Sequence, residues 1–177
     1  RDRTESCDDL AGLKMGVRVD REGTVLKDFQ TAQQVRRADG SGTQDTVVST
    51  RYFLAGAAFL VGLEGDDVLV SEIQAALQAP RWPLFLGRRA NPPGDPVALP
   101  DGVVDASLED ALKSYPRLVP EGKDARIRLV LEVPFDQPGE VRNDNPISFD
   151  SANRRFGPRR IQERFVQWPV PDGGGEP

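Results

Sequence analysis

The chain has 177 residues, 38% of them hydrophobic, and 23 Lys and Arg against 28 Asp and Glu give a formal net charge of -5. That is enough for one substantial core and a small second lobe, and no apolar run approaches the roughly 18 residues that cross a bilayer, so no membrane partner is expected. There is no His and only one Cys, Cys7, which excludes an internal disulfide, a Cys/His zinc site and an imidazole proton shuttle, and fits a reducing, cytoplasmic setting.

Cys7 to Leu13 reads as the end of a short helix. Met15, Val17 and Val19 alternate with Gly16, Arg18 and Asp20, the period of a half-buried strand. Arg21-Glu22-Gly23 predicts a tight turn, and Thr24 to Phe29 a second strand hairpinned on the first. From Gln30 to Thr50 the apolar pattern collapses around an Asp39-Gly40-Ser41-Gly42 tip. A loop of that length in a compact domain is either functional or idle. Arg51 to Leu63 reads as one buried strand, and Asp67 to Gln78 as a helix with Leu69, Ile73, Ala76 and Leu77 on one face, stopped by Pro80.

In the second half, Ala106 to Tyr115 predicts a helix capped by Asp105 or Ser107, and Arg126 to Val133 alternates cleanly as a strand. Residues 134–146 read as loop, Asn153 to Arg160 as a basic turn around Gly157-Pro158, and Gln162 to Val170 as an edge strand limited by Pro169. Asp172 to Pro177 reads as a frayed tail.

The chemistry concentrates in Arg81 to Pro96, RWPLFLGRRANPPGDP. Arg88 and Arg89 sit on a Gly-Pro-punctuated loop beside Trp82 and Phe85. Arg forks match phosphate oxygens, aromatic faces stack on unpaired bases, and Gly87 frees the backbone. The alternative is a plain connection whose apolar residues are core and whose arginines are solvated. Charge is also segregated: 92–124 holds seven acids and three bases, and 152–164 five Arg and one Glu. One face meeting phosphate and another meeting solvent or protein would produce this distribution. The acids show no calcium-loop spacing, so neither metal nor cofactor is expected.

Four segments, in order, resemble the CasD family, the guide-capping subunit of type I-E CRISPR surveillance complexes (Cascade). They are RVDREGTVLKDFQTAQ from Arg18, STRYFLAGAAFLVGLEG from Ser49, the Arg81 to Pro93 loop and FDSANRRFGPRRIQER from Phe149. The resemblance covers about Asp8 to Trp168. It implies an α+β, ferredoxin-like (RAMP) sheet with helices on one face, an extended β-hairpin thumb and a small C-terminal β part. Residues 1–90 would form the ferredoxin-like domain with its thumb at 30–50, and 91–177 an extension with the basic segment. The chain opens on Arg1 and its only methionine is Met15, so the family's first strand and helix are expected to be missing, leaving unpaired backbone in the sheet.

The same resemblance implies a non-catalytic subunit that binds the 5′ handle of the crRNA. Its partners would be the Cascade backbone subunits and the large subunit, with target DNA met indirectly. Arg51 is a candidate wedge or a structural ion pair, and Phe85 a stacking platform or a core residue. Gly87, Arg88 and Arg89 are the phosphate loop, and Gln33, Arg36 and Arg37 the thumb contacts. Arg154, Arg155, Arg159 and Arg160 either touch RNA, meet acidic protein surfaces or are simply exposed. The alternative function is a metal-independent endoribonuclease that processes pre-crRNA, using Tyr52 or Lys27.

Overall fold

The computed structural model describes residues 4–119 and 126–168, so the tail read over 172–177 lies outside the described residues. In chain order the elements are α1 (Asp8–Ala11), β1 (Lys14–Arg21), β2 (Thr24–Arg36), β3 (Thr43–Ala55), β4 (Ala58–Glu64), α2 (Asp67–Gln78), α3 (Leu108–Ser114), β5 (Arg126–Val133), β6 (Glu140–Ser148) and β7 (Arg155–Gln167). Five strands form one antiparallel sheet in the order β4-β1-β5-β7-β6, and β2 and β3 pair with each other alone. Both halves of the sequence contribute to the large sheet.

Alternation along β1 and β5 builds the core. Gly16 and Arg18 share a face with Leu60, Gly62, Leu129 and Leu131, and α3 lays Leu108 and Leu112 on that face to complete the cluster. Gly16 and Gly62 allow the close approach, since a Cβ on either would lie 2.8 Å from a leucine methyl of α3. The Ser107 side chain caps α3 at Asp110 N–H, and Asp66 caps α2 at Leu69 N–H.

Arg18 is fully buried within this face. It donates through Nε to Asp20 Oδ1 at 2.7 Å and through Nη2 to Asp20 Oδ2 at 2.9 Å. Its remaining donors reach the carbonyls of Leu112, Tyr115 and Pro116, and the Trp168 ring lies 4.8 Å away. Asp20 also accepts from Leu118 N–H at 2.7 Å. A buried ion pair so fully hydrogen-bonded anchors the segment leaving α3 onto the sheet.

Three expectations from sequence give way here. Thr24 to Phe29 does not hairpin on β1. Gly23, at φ +78, turns the chain out of the sheet, and β2 pairs with β3 from Thr24 to Arg36 except at Gln34. Arg51 to Leu63 is not one buried strand. Gly56, at φ +66, breaks it into β3 and β4, which belong to different sheets. Finally, β6 occupies what reads as loop, and the basic turn at Asn153 to Arg160 is largely the start of β7, which lies inside the sheet between β5 and β6. β6 is a polar edge strand containing Pro146 and two register shifts, so it has no buried face to give it a period of two.

β4 closes the opposite edge, and Phe59, Val61 and Leu63 on it are exposed.

Candidate nucleic-acid interface

The β2–β3 hairpin leaves the sheet through a neck in which the Arg21 guanidinium donates to the Gly56 carbonyl. Thirteen residues per strand make an arm of about 40 Å. Opposed residues of an antiparallel ladder share a face, so the register sorts the side chains. One face carries Leu26 opposite Phe53, Asp28 opposite Arg51, Gln30 opposite Ser49, Ala32 opposite Val47 and, near the tip, Arg36 opposite Thr43. The other carries Val25 opposite Leu54, Lys27 opposite Tyr52, Phe29 opposite Thr50, Thr31 opposite Val48, Gln33 opposite Thr46 and Val35 opposite Gln44. The second face is mainly apolar, with Val25, Phe29, Val48, Tyr52 and Leu54 at least half exposed.

The loop after α2 meets the first face. Leu86 N–H donates to Asn91 O at 2.8 Å and Asn91 N–H to Arg88 O at 2.9 Å, closing a small turn with Arg88 and Arg89 at its apex. Gly87 stands at φ +79, where a side chain would be strained, and a Cβ there would meet open space. The glycine therefore serves the turn, and close packing on protein has no part in it. The Arg88 guanidinium lies 5.4 Å from the centre of the Phe53 ring, which joins the loop to the base of the hairpin. Trp82 is 72% exposed, Phe85 48% and Leu86 67%, so these residues are not core. The Arg81 guanidinium lies 5.7 Å from the Trp82 ring centre.

The site residues read from sequence fall into four groups. Arg88 meets Phe53 at the base of the hairpin, two residues along β3 from Arg51, and Phe85, Gly87 and Arg89 belong to the same loop as Arg88. Arg36 and Arg37 lie near its tip, about 30 Å along the strands. Gln33 is on the far, apolar face from Arg51. Arg154 and Arg155 lie at the start of β7, whereas the hairpin end of the sheet coincides with the other end of that strand, where Arg126 opposes Gln167. The thirteen residues of β7 separate them by about 40 Å. There Arg154 sits within 6 Å of the ring centres of both Phe149 and Phe156, which meet edge to face at 6.1 Å.

Electrostatics separate the arginines further. Among the described residues Arg36, Arg37, Arg51, Arg88, Arg89, Arg154 and Arg155 form no ion pair. Arg159 is held by Asp144, with Glu132 at 3.9 Å. Arg164 pairs with Glu109, and Arg160 donates to the Gln137 carbonyl at 2.8 Å. The Arg159 hydrogen bond holds the Asp144 carboxyl below its usual range, and Asp144 raises Arg159 in return. Unpaired guanidinium groups are available for phosphate, whereas those of Arg159, Arg160 and Arg164 are already engaged. Sequence reading missed Phe53 and Asp28, both of which follow from the register once Arg51 is placed. Among the described residues no Cys, Asp and Glu cluster could hold a metal ion, and no helix is long and apolar enough to cross a membrane.

The chain matches the family model described as CRISPR-associated protein (Cas_Cas5) over residues 1–162. It is similar to a solved structure described as a Cas protein, at 38% identity and TM-score 0.74, covering 95% of this chain and 74% of that one. It is also similar to a chain of a CRISPR RNA-guided surveillance complex, at 31% identity and TM-score 0.77, covering 95% and 73%. No curated protein matches. The α+β antiparallel sheet is the ferredoxin-like arrangement of these neighbours, and with a family match over nearly the whole length the chain belongs to the CRISPR-associated Cas5 family.

Proposed function

We propose that this protein is the non-catalytic subunit of a CRISPR RNA-guided surveillance complex that holds the single-stranded 5′ handle of the guide, as CasD would in a type I-E complex. Its work would be antiviral defence in the cytoplasm. It would cap the row of backbone subunits and touch the large subunit, while base pairing by the guide selects the target DNA. One observation carries this proposal: Arg51, Arg88 and Arg89 form no ion pair among the described residues, and the loop of Arg88 and Arg89, with Phe85 exposed on it, is seated through Arg88 on Phe53, two residues along β3 from Arg51. Unpaired arginines beside exposed rings suit a flexible strand whose bases are unstacked. The similarity to a surveillance-complex chain points the same way. The test is purification from cells that carry the whole CRISPR locus. A co-purifying small RNA with a uniform 5′ end, lost when Arg88 and Arg89 become Ala, is expected. Recovery free of RNA would refute the assignment.

A second function has one observation in its favour. Lys27 and Tyr52 are directly opposed on β2 and β3, and Tyr52 is 62% exposed. An ammonium and a phenol side by side could assist RNA cleavage without metal or imidazole. Incubating the protein with repeat RNA in chelator separates the two functions. A specific cut that Tyr52→Phe abolishes would establish the nuclease and remove the purely holding role.

A further inference from the structure

Within the cationic cluster at the base of the hairpin stands one carboxylate that phosphate binding does not explain. Asp28 lies opposite Arg51 on the face of the hairpin that Arg88 approaches. It is exposed, and among the described residues it makes no ion pair, even with Arg51. Among the described residues its one side-chain hydrogen bond is a long one, 3.5 Å from Gln30 Nε2. Opposed residues of an antiparallel pair hold their Cβ atoms about 5 Å apart, so Arg51 and Asp28 present a donor fork and a two-oxygen acceptor side by side.

A bare negative charge beside Arg51 repels every phosphate brought to that arginine. It is compatible with a strand-binding face only if the bound strand supplies donors. A sugar-phosphate chain offers a single hydroxyl per residue, whereas the Watson–Crick edge of guanine offers two adjacent donors, N1–H and N2–H₂. Those match the two carboxylate oxygens, and O6 beside them is an acceptor for Arg. On the basis of the RNA-holding role proposed above, we infer that Asp28, together with Arg51, is a specificity-determining pair that selects a guanine base at one position of the bound strand.

The probes are a labelled uridine octamer, the same octamer with one guanosine placed at each position in turn, and a matching inosine series that lacks only the N2 amino group. The protein should bind one guanosine octamer more tightly than the uridine octamer by roughly 5- to 100-fold, the range of a good bidentate base contact. Inosine at that position should remove most of the gain. Asp28→Ala should lose the preference while binding the uridine octamer at least as tightly, because a repulsive charge has gone, and that retained binding also shows the variant is folded. Asp28→Asn, which puts a donor where an acceptor stood, should lose the preference too. Equal binding of all octamers by the unaltered protein, or a guanosine preference that survives Asp28→Ala, overturns the inference and leaves RNA holding intact. Failure of the unaltered protein to bind any octamer refutes RNA holding itself, and the inference falls with it.

Discussion

Replacing Arg88 and Arg89 with Ala gives the sharpest quantitative test of the interface, because neither forms an ion pair among the described residues and each should neutralise one phosphate. On a single strand each such contact adds about 0.7 to the slope of log affinity against log salt, so the double variant should lose about 1.4. Between about 50 and 200 mM salt, that difference makes the affinity gap between the two proteins shrink about sevenfold. Fluorescence anisotropy with a labelled uridine octamer across that range reads the slopes directly. Arg159→Ala is the control, since its guanidinium is already neutralised by Asp144 and Glu132. It should leave the slope unchanged. Parallel lines for the Arg88 and Arg89 variant would mean that the loop does not meet phosphate, however much affinity was lost.

Three further outcomes concern the scaffold that aims this site. Asp20→Asn strands the buried Arg18 charge and should cost about 3–5 kcal/mol in urea unfolding; a loss under about 1 kcal/mol would show that the backbone carbonyls alone satisfy Arg18. Leu112→Ala opens a cavity among Leu60, Leu108, Leu129 and Leu131 and should cost about 2–5 kcal/mol by the same measurement. Glu64 is held below its ordinary value of 4.5 by its hydrogen bonds from Lys14 and from Leu108 N–H. A lowered folded-state value means that its contribution is present above that pH and lost as the pH falls through the lowered value. Acid titration of stability should therefore be shallower below about pH 4.5 in Glu64→Gln, and superimposable curves would exclude that role.

Elements with one buried face were legible in the sequence. β5 and α3 follow their periods to within a few residues because the core imposes them, β1 keeps its period but turns the Gly16 and Arg18 face to the leucine cluster, and α2 keeps its bounds although none of its residues is buried. The hairpin and β6 were harder. Both faces of β2 and β3 look into solvent, so alternation there sorts two exposed surfaces and leaves no core stripe to detect. The split of Arg51 to Leu63 depends on a positive φ at Gly56, which one glycine among several small residues does not announce. At the site, the Gly87 to Arg89 loop was visible from composition. Its seat against Phe53, and the standing of Gln33 on the opposite face from Arg51, needed the pairing register.

That register also limits how such an arm can vary. The pairs keep one register from Thr24 and Ala55 to Arg36 and Thr43, interrupted at Gln34, which stands at φ 51, so deleting a single residue from one strand would invert every side chain beyond the deletion, exchanging the cationic surface for the oily one. Length can therefore change safely only by two residues in each strand at once, with odd remainders taken up at the Asp39 to Gly42 tip. Related chains should consequently differ in this limb by multiples of four outside the tip, a parity signature that sequence collections can be searched for without any further coordinates.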